Sequence, residues 1–144
     1  MTRRQLWGWE GKKVVFTNGV FDILHAGHVL LLERCKALGD VLIVGVNTDA
    51  SARRLEKGVG RPVNRLRDRA AILAARWCVD AVVPFGEDTP ERLLSRLKPD
   101  VLVKGADYKK GQIAGAKHAG RVVRVRLKAG YSTTGLIRRL QGKI

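Results

Sequence analysis

The stretch VVFTNGVFDILHAGHVLLLERCKALG, residues 14–39, decides the fold of this chain. It begins with the apolar, β-branched run Val14–Thr17, which is typical of a buried parallel strand. Apolar residues then fall at helical spacing from Val29 to Leu38, and Gly39 supplies a C-terminal stop. A strand, a tight turn and a helix within about 25 residues predict the start of a βαβ unit.

The same alternation continues along the chain. We predict further strands at 41–46, 81–83, 101–103 and 122–125, and helices at 49–55, 67–77, 90–97 and from Ser132 or Thr133 to Leu140. Thr89 before Pro90 is a helix-start signal, with Thr89 as the N-cap. This pattern predicts the α/β class: one Rossmann-like domain over residues 1–144, with a five-stranded parallel sheet, helices on both faces and an N-terminal arm at 1–12.

Length and composition restrict the possible classes. At 144 residues the chain is about one domain long, and 45% of its residues are hydrophobic, so it can bury a core. The sequence lacks both an apolar run of about 18 residues and the apolar region of a secretory signal. We therefore expect a cytoplasmic protein without a membrane segment. Cys35 and Cys78 form no CxxC motif and are expected to be buried as small hydrophobic residues.

The charge is strongly positive, with 28 Lys and Arg against 13 Asp and Glu and a net charge of +15. Such an excess attracts phosphate-bearing partners. The basic residues are scattered from Arg3 to Lys143, without a polybasic tail or interleaved aromatic residues. This distribution favours a basic surface that helps a phosphorylated small molecule to bind. A nucleic-acid-binding module is the alternative from a different class, and its salt-sensitive binding would be indifferent to loss of His25 and His28.

The segment TNGVFDILHAGH, residues 17–28, follows the first predicted strand and occupies the place where open parallel sheets bind ligands. Gly19 and Gly27 allow the backbone to turn or to approach a ligand closely. A helix beginning near Gly27 would direct its uncapped N–H groups towards the same space. His25 and His28 are three residues apart, which places both imidazoles on one side of a helical turn. They are therefore candidates for stabilising the charge that develops in phosphoryl transfer.

Two other interpretations of the histidines remain open. The first is that they bind a metal ion together with Asp22, but no third His or Cys has ligand spacing, so we predict no metal site. Alternatively, the pair has a purely structural role, and the adjoining glycines argue against that role.

The motif TNGVFDxxHxGH is similar to the signature of the cytidylyltransferase-like nucleotidyltransferases, and the similarity extends from Lys13 to Leu140. The stretches at 47–64, 85–94, 101–108 and 130–140 most resemble the D-glycero-β-D-manno-heptose 1-phosphate adenylyltransferases. This resemblance implies transfer of AMP from ATP to the sugar 1-phosphate, giving ADP-heptose and pyrophosphate, with Mg²⁺ bound to the triphosphate. The alternatives within the superfamily are glycerol-3-phosphate cytidylyltransferase and FMN adenylyltransferase.

The resemblance also implies roles for individual residues. His25, His28 and Lys57 are the expected catalytic residues, and Arg61 and Arg69 are candidates for gripping a substrate phosphate. The expected nucleotide-binding residues are Thr17, Asn18, Gly19, Val20, Phe21, Gly27, Gly105, Asp107, Tyr108, Ser132, Thr133 and Thr134.

Several of these residues have a simpler explanation. Lys57, Arg61 and Arg69 are equally consistent with solvated surface charges. Asp107 fits a turn residue that bonds to its own backbone. The run Ser132–Thr134 can be an ordinary helix N-cap as well as an anion site at a helix start.

One feature departs from the resemblance. The glycerol-phosphate enzymes carry an arginine shortly before the STT stretch, whereas here only Lys128 is near, which argues against that branch. The resemblance further implies a homodimer and a separate sugar kinase that supplies the substrate. Trp7 and Trp9 are expected to pack either against a partner or against their own core.

Overall fold

A computed structural model describes residues 7–55, 58–105, 113–126 and 130–142. Within them, five parallel strands form one sheet in the order β3-β2-β1-β4-β5. The strands are β1 (Val14–Gly19), β2 (Val41–Asn47), β3 (Ala81–Phe85), β4 (Val101–Gly105) and β5 (Arg121–Val125). The predicted five-stranded parallel sheet is confirmed. The central strands β1, β2 and β4 are largely buried, as expected for apolar runs between two helical layers, whereas the edge strands β3 and β5 are partly exposed.

The helices alternate with these strands. They are α1 (Ala26–Ala37), α2 (Asp49–Arg54), α3 (Leu66–Ala74), α4 (Glu91–Leu97) and α5 (Thr133–Leu140), with a 3₁₀ turn at Ala116–His118. Helix α3 begins one residue earlier than predicted because Asp49 Oδ1 accepts the N–H of Leu66, at 2.9 Å. The prediction of Thr89 as an N-cap is wrong. Buried Pro90 is the N-cap of α4, and its carbonyl accepts the N–H of Leu94.

Helices cover both faces of the sheet, as predicted. On one face, Leu32 and Cys35 of α1 and Leu73 of α3 pack against the odd-numbered residues of β1 and β4. On the other face, the leucines of α4 pack against the even-numbered residues of the same strands. The alternation follows from the two-residue repeat of a strand, which sends successive side chains to opposite faces.

Trp7 and Trp9 belong to the second face. Both are partly buried against the α4 side of the core, and their rings meet edge to face with centroids 4.9 Å apart. Of the two expectations for these tryptophans, the structure therefore shows packing against their own core.

Cys35 and Cys78 are buried free thiols, as expected. Burial, together with the nearby Cys78 thiol, raises the pKa of Cys35 to about 12, so that thiol stays protonated and unreactive. In the part of the chain described here, none of the helices combines the length and the apolar character required to cross a bilayer.

Candidate active site

A cleft of about 450 Å³ opens at the carboxyl ends of β1 and β4. The strand order reverses between these neighbours, and open parallel sheets bind their ligands at this point. Most of the predicted site residues line the cleft: Thr17, Asn18, Gly19, Val20, Phe21, His25, Gly27, His28, Arg61, Gly105, Ser132, Thr133 and Thr134. Its volume suits a ligand the size of a nucleotide.

The two histidines are joined to each other and to the start of α1. His25 is the N-cap of the helix, and its Nδ1 accepts the N–H of Gly27, at 3.1 Å. The backbone N–H of His25 donates in turn to Nδ1 of His28, at 3.3 Å. The prediction of an uncapped helix tip is therefore wrong, because the histidine side chains themselves satisfy this end of the helix.

These bonds define the tautomer of both rings. An Nδ1 atom that accepts a hydrogen bond carries no proton, so in each neutral imidazole the proton is on Nε2. The rings of His25 and His28 stack with centroids 3.8 Å apart and an interplanar angle of 25°. The stacked pair therefore provides two Nε2–H donors side by side in the cleft.

Burial keeps both histidines neutral. It lowers the pKa of His25, and it lowers the pKa of His28 to about 4 together with repulsion from His25. A neutral imidazole with its proton on Nε2 can donate one hydrogen bond to a phosphate oxygen from that atom. At neutral pH the pair therefore presents N–H dipoles, rather than full positive charges, to the cleft.

Glycine is required at position 27. A Cβ atom there would lie 2.9 Å from Cε1 of His25 and 2.9 Å from Cβ of Tyr131, closer than real Cβ contacts allow. The absent side chain leaves room for the His25 ring and for Tyr131, the residue before the N-cap of α5. Tyr131 lines the cleft next to His25, with ring centroids 6.4 Å apart, and no sequence argument selected it.

Phe21 occupies an unusual backbone conformation in the loop after β1. Its φ is +50°, a region that non-glycine residues rarely adopt. The ring is buried, packs against His28 with centroids 5.2 Å apart, and lies close to the backbone of Gly19. The tight turn is therefore held by packing of the aromatic ring against one of the two histidines.

Asp22 ties this loop to the segment before α3. Its carboxylate is fully buried and accepts hydrogen bonds from the N–H groups of Val63 and Asn64 and from Nε of Arg61. Burial acts to raise the pKa of Asp22, but these donors outweigh it and hold the pKa below its ordinary value. Both carboxylate oxygens already accept protein donors. The described residues contain no group of three or more possible metal-ligating side chains.

Arg61 reaches the start of α5 from this anchored segment. Its side chain is largely buried, and Nη1 donates to Oγ1 of Thr134, at 3.4 Å. A basic side chain therefore lies beside the STT stretch although it is 73 residues away in the sequence. Lys128, the basic residue near the STT stretch in the sequence, lies outside the described residues.

The hydroxyls of the STT stretch have separate roles. Ser132 is the N-cap of α5 and accepts the N–H of Gly135, at 2.9 Å. Thr133 donates to the carbonyl of Ile23, at 3.1 Å, and so fastens α5 to the loop after β1. Thr134 faces Arg61 in the cleft. The N-cap explanation thus holds for Ser132, while all three residues still border the same space.

The structure does not bring Arg69 to the cleft. The residue is 1% exposed, and its guanidinium donates to the carbonyls of Val20, Asn47 and Asn64 and to Oδ1 of Asp49. Because these acceptors occupy the buried guanidinium, it does not reach the cleft, and the expectation of a phosphate contact at Arg69 is wrong. Arg69 instead joins the loop after β1 to the end of β2 and to the segment before α3.

Lys104 is a cleft residue that the sequence analysis missed. It follows the apolar run of β4, and its ammonium group donates to Oδ1 of Asn18 at the end of β1. Burial lowers the pKa of Lys104 to about 8. The available signal was a charged residue directly after the buried apolar run of β4, at the edge where ligands bind.

Three predicted site residues, Lys57, Asp107 and Tyr108, lie outside the described residues. Their roles stay predictions from the resemblance. Thr17 is described, and its hydroxyl donates to the carbonyl of Val103, at 3.1 Å. This hydrogen bond joins β1 to β4.

Curated relatives match most of this chain. The protein named Bifunctional protein HldE of Pseudomonas aeruginosa (strain UCBPP-PA14) is 55% identical over 137 residues, which are 92% of this chain and 29% of the relative. Bifunctional protein HldE of Mesorhizobium japonicum is 58% identical over 139 residues, 94% of this chain and 28% of the relative. The chain spans less than a third of the length of these relatives.

Solved structures and a family model match as well. The lipopolysaccharide core biosynthesis protein from Thermoplasma volcanium GSS1 superposes with a TM-score of 0.71 and 31% identity, over 82% of this chain and 99% of that one. Pantoate-beta-alanine ligase from Francisella tularensis, at 16% identity and a TM-score of 0.59 over 92% of this chain and 70% of that one, shares the fold alone. The cytidylyltransferase-like family model matches residues 16–139, and with relatives more than half identical in sequence, the chain belongs to the cytidylyltransferase-like family.

Proposed function

We propose that the protein is a nucleotidyltransferase that transfers AMP from ATP to D-glycero-β-D-manno-heptose 1-phosphate and releases pyrophosphate. The observation that carries the proposal is the stacked pair of neutral imidazoles, His25 and His28, at the start of α1 inside the cleft. Family membership makes a nucleoside triphosphate the expected substrate. The choice of ATP and of the heptose phosphate rests on the resemblance described above and on the structural relative from lipopolysaccharide core biosynthesis.

The chemistry requires little from the protein beyond positioning and charge stabilisation. An oxygen of the sugar 1-phosphate attacks the α-phosphorus of ATP, the bond to the β-phosphate oxygen breaks, and pyrophosphate leaves on the opposite side. Negative charge grows on the α-phosphate oxygens and on the bridging oxygen. Two fixed Nε2–H donors directed at these oxygens stabilise that charge without reorganising during the reaction.

The leaving pyrophosphate needs an anion-binding surface next to the histidines. Arg61 and the N-terminal turn of α5 at Thr134 provide one, since they lie together at the edge of the cleft. Arginine matches phosphate oxygens with a rigid fork of donors, and the start of a helix favours negative charge. Asp22 positions Arg61 for this role through a 2.7 Å ion pair.

Mg²⁺ is proposed as part of the substrate, bound to the triphosphate. Among the described residues, the carboxylate that lines the cleft is Asp22, and its oxygens already accept protein donors. The ion usually retains several waters and binds through substrate phosphates. We therefore assign it no protein ligand.

The experiment that tests this proposal is a pyrophosphate-release assay. ATP and CTP are each combined with heptose 1-phosphate, glycerol 3-phosphate and FMN, and we expect turnover with ATP and heptose 1-phosphate. Replacing both histidines by alanine should lower kcat by about 10²- to 10³-fold or more, as for loss of oxyanion donors. Turnover with CTP and glycerol 3-phosphate alone would contradict the substrate assignment, and wild-type kcat in the double variant would contradict the mechanism.

The homodimer and the separate sugar kinase stay predictions. Light scattering on the purified protein measures the first. The sugar kinase is tested by adding heptose, a sugar kinase and ATP to the protein. The heptose 1-phosphate made by the kinase should then support pyrophosphate release.

A further inference from the structure

Lys104 lies across β1 from the histidines. Phe16 and Leu102 pack on the α4 face of the sheet, and Asn18 and Lys104 follow them by two residues, so both point towards that face. The histidines belong to α1, which covers the opposite face. The cleft passes over the end of β1 and is lined from both sides.

The position of Lys104 is fixed by its neighbours. Its ammonium group bonds to Oδ1 of Asn18, which stands at the same level on the adjacent strand. Both side chains are at strand ends rather than in loops, so the sheet itself holds them in place. A half-buried lysine in a cleft is a strong local source of positive charge, because the surrounding protein screens it less than water does.

In-line displacement requires that the attacking and leaving oxygens lie on opposite sides of the α-phosphorus. Arg61 and the start of α5 lie on the histidine side of the cleft, since Thr133 bonds to the loop that leads into α1. If the pyrophosphate leaves towards that side, the nucleophile must enter from across β1. Lys104 lies at that entrance.

We propose that Lys104, oriented by Asn18, binds the phosphate of the acceptor and directs its attacking oxygen towards the α-phosphorus. This inference rests on the proposed function, because it presupposes nucleotidyl transfer to a phosphorylated acceptor. It assigns the two cationic side chains of the described cleft to the two substrates: Arg61 to the triphosphate and Lys104 to the acceptor.

The test separates acceptor binding from nucleotide binding. Lys104→Met keeps most of the side-chain volume and removes the charge. We expect it to raise the KM for heptose 1-phosphate by about 10- to 100-fold, the loss typical of a hydrogen bond to a charged group. The dissociation constant for ATP, measured by calorimetry without acceptor, should change less than about threefold.

Two further variants serve as controls. Lys117→Met makes the same chemical change at an exposed position outside the cleft and should leave both constants unchanged. Lys104→Arg retains a cation and should restore part of the acceptor affinity. Thermal unfolding of each variant shows whether it is folded.

Two results would overturn the proposal. In one, Lys104→Met weakens ATP binding while the KM for the acceptor is unchanged, which would place the lysine on the nucleotide. In the other, both constants stay at the wild-type value in a folded variant. If the wild-type protein turns over no acceptor, the proposed function fails separately. In that case the lysine site is tested by calorimetric titration of mannose 1-phosphate into the protein with a non-hydrolysable ATP analogue bound. Binding to the wild type that is lost in Lys104→Met supports the site. Equal binding to both proteins, or binding to neither, rejects it.

Discussion

Replacing Arg69 by methionine tests whether this residue is structural or binds substrate. The wild-type guanidinium makes four hydrogen bonds, three to backbone carbonyls and one to Asp49. Methionine fills much of the space but donates nothing, so these acceptors lose their partner. Removing one member of a buried ion pair costs about 3–5 kcal/mol. The side chain of Asp49 is 31% exposed and regains water, so we expect about 3 kcal/mol, near the lower limit.

The assays are reversible urea unfolding, thermal unfolding and ATP calorimetry. A loss of about 3 kcal/mol should lower the melting temperature of a domain of this size by about 10 °C. The control is Arg67→Met, an exposed arginine on the same helix, which should stay within about 0.5 kcal/mol of the wild type. A variant Arg69→Met that is as stable as the wild type and yet loses ATP affinity would contradict a structural role, because that pattern indicates a direct phosphate contact.

Other predictions concern the histidine pair. Gly27→Ala should lower kcat at least about tenfold, because the new methyl group would displace the His25 ring and Tyr131 and so misplace a hydrogen-bond donor. Circular dichroism should show that the variant is folded. An unchanged kcat would contradict the tight packing at Gly27. The pKa of His28 is lowered to about 4 in the folded state, so as the pH falls the unfolded chain takes up a proton at His28 before the folded chain does. Its contribution to stability is complete above about pH 6.5 and is lost as the pH falls towards 4. Urea unfolding at pH 7 and pH 5 should show a smaller difference for His28→Asn than for the wild type, and equal differences would count against the shifted pKa.

The sheet was predictable because its signals are local. Each strand is a short run of β-branched and apolar residues, and each such run became one of the five parallel strands. The cleft was predictable for a related reason, since parallel strands all end at the same edge and the glycine- and histidine-containing segment follows the first strand. Helix ends were less predictable. The N-cap of α4 is Pro90 rather than Thr89, and a carboxylate from α2 accepts the N–H of the first residue of α3.

Long-range pairing was hidden in the sequence. Arg61 and Arg69 are both arginines of one basic segment and looked equivalent, yet one lines the cleft and the other is buried. The difference depends on which acceptors the fold brings to each guanidinium. Asp22 holds Arg61 at the cleft, whereas the carbonyl groups of the loop after β1 and of β2 surround Arg69.

Local sequence signals were enough to predict the α/β class, the number and direction of the strands and the segment that carries the histidines, because hydrophobic periodicity and turn residues act over a few neighbouring positions. The tertiary structure decided the protonation geometry of the histidines, the burial of Arg69, and the approach of Lys104 to Asn18 across 86 residues of chain. Those features depend on burial and on hydrogen bonds between distant segments, which exist only once the sheet has brought the strand ends together.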